Sequence, residues 1–339
     1  MTKKKTIYEL ARELNIAPST VSKALNNQKG VTATKRKMII DYANSVGYVA
    51  TPAASMLKSK KSTSIGILYS EAAGIGFAHP FFSSVLEYAK AFLEKRGYDI
   101  VFINSKSNDY HGYAQFCNLR NIAGIFAVTV SGNDPFLTGL SKTNEYNVVA
   151  TDYYNDNIPT VVSDNKQGIR LLVDYYLKAG FKNVGIVTNL TDIPSRSFVE
   201  RTDSYLILCK RNNIEIDNDN IISMKDYDYI KTLEVLKNHF KTHKPPEAIF
   251  AVTDMLATAT ISALKANGYE VPKDVSVIGF DDNDFAKYLS PSLSTIRQDT
   301  KGIGTTAAKT LLAQINGIEV EKDIRIPVSL ILRESSKSI

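Results

Sequence analysis

Acidic residues recur at the ends of short apolar runs in this sequence of 339 residues. Asp152 follows Val148-Val-Ala, Thr253 and Asp254 follow Ala248-Ile-Phe-Ala-Val, and Asp281 with Asp282 closes Val275-Ser-Val-Ile-Gly-Phe. A carboxylate accepts hydrogen bonds from two neighbouring hydroxyls, and a guanidinium offers a planar fork of donors. Arg201, near the start of a helical segment, therefore complements the acids, and together they suit a polyol. Other run ends add Ser70, the loop from Glu71 to Phe82 with His79-Pro-Phe-Phe, Thr129 and Asn189. Simpler uses stay open: Asp254 and Asp282 can cap the helices that follow them, Arg201 can sit in a surface ion pair, and His79 can be an ordinary loop residue.

Nothing in the sequence accompanies these residues that would break or make bonds. Gly74-Ile-Gly-Phe-Ala-His fails the GxGxxG pattern, no P-loop is present, and the histidines at 79, 111, 239 and 243 include no HExxH. His239 and His243 lack an acidic partner at the needed spacing and read as a solvated helix end. Cys117 and Cys209 form no CxxC pair and read as free thiols. No enzyme activity, cofactor or metal is expected.

The elements that must position the acids alternate. Apolar runs at 65–68, 100–103, 124–128, 148–150, 161–162, 184–187, 221–224, 248–252 and 275–280 are separated by helical segments near 80–96, 111–120, 134–143, 167–179, 198–212, 227–241 and 254–267. This order predicts doubly wound parallel sheets in two successive sets, whose ligands lie beyond the carboxyl ends of the strands.

The first 62 residues differ from this body. They carry twelve Lys and Arg against Glu9, Glu13 and Asp41, a net of +9, while the remainder holds 29 bases against 32 acids. A basic head on a mildly acidic body is the electrostatic footprint of a polyanion partner. Ile7, Leu10, Ala11 and Leu14 fall at helical spacing, then Val21, Ala24 and Leu25 repeat it after a tight turn. Pro18 suits the first turn of the second helix, which projects Ser19, Thr20, Ser22 and Lys23 from its polar face. A third helix, from Thr34 to Ser45, closes a small core and ends at Gly47. Such a helix-turn-helix lays its second helix in the major groove of DNA. Pro52 can start one further short helix, followed by a lysine-serine linker.

These segments resemble the DNA-binding head and hinge of the lactose/galactose repressor (LacI/GalR) family of bacterial transcription regulators. The resemblance is carried by Thr6 to Asn26, Gly47-Tyr48 and Pro52-Ala-Ala-Ser-Met-Leu57. It implies that Pro18, Ser19 and Lys23 read an operator, with Thr6 and Tyr8 nearby, while Thr20, Ser22, Asn26 and Tyr48 help hold the DNA backbone. It also implies that Leu57 wedges into the minor groove beside Ala54. Ala17 stands where the family carries a Ser or Thr cap, and Ser55 where an Arg is common. In the body, Val275 to Asp282 and Leu293-Ser-Thr-Ile-Arg-Gln298 match the family. Its effector contacts correspond to Asp152, Arg201, Thr253, Asp254 and Asp281, with Tyr227 at the position of an aromatic platform; Ser70, His79 and Phe82 complete the expected effector set.

The expected fold is therefore a small all-α helix-turn-helix head on an α/β core of two doubly wound lobes, like a periplasmic sugar-binding protein. The expected divisions are residues 1–47 for the head, 48–63 for a hinge helix and linker, and 64–339 for the core. One lobe takes 64–162 and 291–322, the other 163–290 and 323–339, with crossovers near 162–165, 290–296 and 320–325. The lobe that receives the last strand, 324–332, stays open, because the family pattern returns it to the first. The expected function is a cytoplasmic, homodimeric repressor of a palindromic operator, relieved by a small sugar between the lobes. A corepressor-dependent or catabolite-type regulator and a sugar-binding receptor are the alternatives. Gly302-Ile-Gly-Thr-Thr-Ala-Ala-Lys lacks the paired arginines with which catabolite regulators dock a phosphocarrier protein. No membrane span or secretory signal is expected from the apolar pattern, and a chain ending soon after its last strand favours a dimer over a coiled-coil tetramer.

Overall fold

The computed structural model describes residues 5–25, 28–48, 62–69, 76–103, 109–128, 134–153, 155–190, 195–225 and 227–339. The chain divides into two compact units, Met1–Ser62 and Thr63–Ile339. Asn26, Ala54, Leu57, Ser70, Thr129 and most of the expected hinge lie outside the described residues.

In the first unit, α1 (Ile7–Glu13), α2 (Pro18–Leu25) and α3 (Ala33–Ser45) enclose a core of Leu10, Ala11, Val21, Ala24, Ile39 and Ala43. Thr6 starts α1 with a capping box: its hydroxyl accepts from the Glu9 N–H, and the Glu9 carboxylate accepts from the Thr6 N–H at 2.6 Å. The turn into α2 runs through Asn15, whose φ of 53° suits a residue able to tolerate the left-handed region.

The second unit holds two six-stranded sheets. The first contains β1 (Ser64–Tyr69), β2 (Asp99–Phe102), β3 (Ile122–Val128), β4 (Val148–Thr151), β5 (Thr160–Ser163) and β11 (Asp323–Ile326), in the order β11-β5-β4-β3-β1-β2. It is covered by α4 (Pro80–Glu94), α5 (Tyr110–Leu119), α6 (Pro135–Thr143) and α11 (Thr300–Ile315). The second contains β6 (Val184–Asn189), β7 (Ile221–Met224), β8 (Ala248–Ala251), β9 (Ser276–Asp281), β10 (Ser294–Gln298) and β12 (Val328–Ile331), in the order β12-β10-β9-β8-β6-β7. Its helices are α7 (Asn165–Ala179), α8 (Arg196–Arg211), α9 (Tyr229–Thr242) and α10 (Asp254–Ala266). Every pairing is parallel except that of β10 with β12. The strands of a parallel sheet are buried on both faces, which explains their continuous Val, Ile and Ala runs.

The lobe boundaries differ from expectation in two places. Leu293 to Gln298 forms a strand beside β9, so the second crossover follows Gln298 instead of preceding Leu293. The final apolar stretch is shared: β11 pairs with β5 in one lobe and, after Pro327, β12 pairs with β10 in the other. α11 has no counterpart among the expected helices. It packs on α4 through Gly304, where a Cβ would collide with the Val85 carbonyl. Among the described residues, no helix is long and apolar enough to cross a membrane.

Candidate functional site

Two surfaces gather the residues singled out by chemistry. In the head, Ser19 and Lys23 are exposed on one side of α2, and Tyr8 is 72% exposed on α1. Pro18 and Thr20 are half-buried beside them. Two residues depart from their expected roles. Ser22 is buried at 9% exposure, because it falls beside Val21 and Leu25 on the helical wheel, at the flank of the apolar stripe. Thr6 spends its hydroxyl on the capping box. Tyr48 packs its ring against the head core, where burial pushes its hydroxyl pKa up.

In the second unit the strand ends of the two lobes face each other. Asp152 follows β4 with a φ of 56°. Its carboxylate accepts from Ser195 Oγ at 2.8 Å, Ser197 Oγ at 2.7 Å and the Ser197 N–H at 3.1 Å, so an acid of one lobe caps α8 of the other. One turn along, Arg201 is buried with its guanidinium 3.6 Å above the Phe280 ring. Its Nε donates to Asn165 Oδ1 at 2.9 Å, its Nη1 donates to the Val252 carbonyl at 2.8 Å, and Asp281 lies 3.7 Å away. Burial pulls the Arg201 pKa down, and Asp281 and Asp152 oppose it. The pair is thus a buried charge with its counter-charge, held by hydrogen bonds on both sides.

Asp281 is placed by strain and by donors. It has a φ of 135°, and Asp282 follows at 59°, both in the left-handed region. Gln298 Nε2 donates to Asp281 at 2.7 Å, and Gln298 Oε1 accepts from Ser163 Oγ at 2.6 Å, so the acid is tied to two lobe crossovers. Asp282 anchors the turn between Arg297 at 2.6 Å and Arg333 at 2.7 Å. Aromatic rings line the space between the lobes. His79, at the start of α4, stacks on Tyr227 with centroids 5.9 Å apart and planes 11° apart. Phe82 lies 4.6 Å from His79, and Phe198 lies 6.2 Å from Tyr227. Burial, then the Asp281 charge, pushes the Tyr227 hydroxyl up, so it stays a neutral donor.

One expected contact turns away and another serves twice. Thr253 caps α10, its hydroxyl accepting from the Leu256 N–H, and its side chain also meets the Tyr227 hydroxyl. Asp254 is fully buried under β9 and β10, where it accepts from Thr295 Oγ1 at 2.5 Å and the Asn283 N–H at 2.7 Å. It fits because residue 279 is glycine: a Cβ there would lie 2.5 Å from its Oδ1. Burial and the neighbouring Asp281 raise the Asp254 pKa, and the two acids share one site in which Asp281, facing Arg201, carries the charge. The structure therefore brings together Asp152, Arg201, Tyr227, Thr253, Asp281, His79 and Phe82, and it makes Asp254 a structural acid. Asn165, Ser195, Ser197, Phe280 and Gln298 join the site without having been expected there. The placement of Asn165 just beyond the run at Val161-Val162, at a strand end like the acids, is the signal that could have found it.

The sequence and the fold are similar to those of known proteins. Residues 173–336 match the periplasmic binding protein-like domain. Over 320 residues, 94% of each chain, the sequence is 27% identical to the probable HTH-type transcriptional repressor ExuR of Bacillus subtilis (strain 168). It is also 27% identical to the HTH-type transcriptional regulator MalR of Clostridium butyricum, covering 98% of this chain and 99% of the relative. These relatives are regulators of the LacI/GalR type, and the chain is similar to them over nearly its whole length. Its fold is that of the lac repressor dimer bound to operator and the anti-inducer ONPF, at a TM-score of 0.86 and 21% identity over 99% of this chain and 100% of that one. Like these relatives it is a transcriptional regulator and not an enzyme.

Proposed function

We propose that the chain is a cytoplasmic, homodimeric repressor that binds a palindromic operator through its head and releases it when a neutral sugar enters the cleft of the second unit. The observation that carries the ligand class is the balance of the cleft. Asp281 offsets Arg201, Asp152 faces the start of α8, and aromatic rings flank them, so the site offers directional donors and acceptors without surplus positive charge. A sugar presents adjacent hydroxyls to the acids and guanidinium and an apolar ring face to Tyr227 and His79. A phosphorylated ligand would need a second cation that these residues do not supply.

In this reading Tyr8, Pro18, Ser19 and Lys23 meet the DNA, with the +9 head supplying the electrostatic attraction. Two heads read half-sites about one helical turn, ~10 bp, apart. The coupling is a linkage of about 1–3 kcal/mol between cleft and operator.

The test is binding of the purified protein to a palindromic site from its own upstream region, titrated with salt and with a panel of neutral sugars. Release by one sugar and a steep salt slope are expected. Release by none, with operator binding intact, would replace the sugar by another effector class, and absence of specific DNA binding would end the repressor reading.

A further inference from the structure

Beside the cleft, four charged residues from the two lobes close a ring. On α8, Arg196 Nε donates to Glu200 at 3.1 Å, and Arg196 Nη2 crosses to Asp323 on β11 at 3.0 Å. From β11, Arg325 returns the contact as a fork, donating Nη1 and Nη2 to the two Glu200 oxygens at 2.7 and 2.8 Å and Nη2 to Asp323 at 2.9 Å. Exposed single ion pairs contribute little, but bidentate pairs in a network are the exception. The Arg196 and Glu200 side chains are only 11% and 15% exposed. None of these residues belongs to the ligand set.

The ring reaches that set through one amide. Asn165 is fully buried at the start of α7, immediately after the first crossover between the lobes. Its Nδ2 donates to Glu200 at 3.0 Å and its Oδ1 accepts from Arg201 Nε at 2.9 Å. This orientation is forced: a turned amide would set NH2 against a guanidinium, which has no acceptor, and oxygen against a carboxylate, which has no proton. Glu200 thus fixes the amide, and the amide fixes the guanidinium.

We propose that the ring of Arg196, Glu200, Asp323 and Arg325 is an interlobe latch, and that Asn165 is the positioning residue through which the latch holds Arg201 ready for ligand. This rests on the reading of Arg201 as the effector's donor. When the lobes separate at β11, Glu200 loses its fork, Asn165 loses its orientation, and Arg201 loses the partner that fixes its Nε, keeping only Val252, Asp281 and the Phe280 ring. Lobe closure and placement of the ligand-facing arginine are then one event.

The test uses the full chain without any sugar: modification of arginines by phenylglyoxal, followed residue by residue by peptide mass spectrometry. Arg170, whose side chain is 58% exposed, serves as the internal reference. Arg325→Met and Asn165→Ala should each speed modification of Arg201 relative to Arg170 by about fivefold, the size of a modest network interaction. High salt should do the same in the unaltered chain, and Arg325→Lys, which keeps the charge, should restore protection at low ionic strength. An unchanged Arg201 rate in Arg325→Met, or an equal rise at every arginine, would overturn the latch. Should Asn165→Ala fail to fold, Arg325→Met and the salt series decide alone. The modification rate does not depend on which ligand the cleft takes, so failure of the latch and failure of the sugar reading are told apart.

Discussion

Asp152 of one lobe caps the helix of the other through the Ser197 N–H at 3.1 Å and Ser197 Oγ at 2.7 Å. A carboxylate expected to meet ligand hydroxyls is thus already satisfied by the hydroxyls of Ser195 and Ser197 and by a helix N-terminus. An entering hydroxyl group must share or displace these partners, so ligand entry acts directly on a contact between lobes. Ser197→Ala removes one partner and should cost about 1 kcal/mol of stability. Urea unfolding of the unaltered chain and the variant measures it.

Arg201→Ala should abolish sugar-dependent release and leave operator affinity without sugar close to that of the unaltered chain. The guanidinium offers the cleft a fixed fork of donors, and its loss leaves Asp281 buried without its counter-charge. A gel-shift titration with and without the releasing sugar checks both halves. Unchanged release would remove Arg201 from the site.

Lys23→Ala should weaken operator binding about 10- to 100-fold, the worth of one base-edge contact, and affect random DNA far less. Fluorescence anisotropy on both duplexes distinguishes this from a phosphate contact, which would weaken both equally and lower the salt slope by about one.

Asp254→Asn should flatten the pH dependence of stability. Burial raises the folded pKa of Asp254, whereas in the unfolded chain it ionises near 3.9. The folded state holds a proton that the unfolded state has released, so stability falls as pH rises above about 4 until the raised folded pKa is passed. The asparagine cannot ionise and should show the gain increasingly towards alkaline pH. Thermal melts across the range give the two curves; parallel curves would contradict the assignment.

The sequence makes the strand-end chemistry legible because parallel strands leave short apolar runs that end where ligands bind, as at Asp152 and Asp281. It does not reveal which way such a residue turns. Asp254 follows its run as Asp152 does, but a glycine at 279, on another strand, opens space beneath it. α11 is hidden for a related reason: Gly304 allows close approach to α4, and small residues such as Gly302, Gly304, Ala307 and Ala308 give a weak apolar stripe. The lobe of Leu293 to Gln298 depends on pairing with β9, which periodicity does not encode. The ion-pair ring joins residues more than a hundred positions apart, 200 and 325, and no local pattern links them.

Sugar binding measured by calorimetry, once on the free protein and once on the protein saturated with operator, tests the central claim most directly. Linkage requires the sugar to bind the operator complex more weakly by the same factor, about 5- to 150-fold, by which it weakens operator binding. Equal sugar affinities in the two titrations would show that the cleft and the head are not coupled.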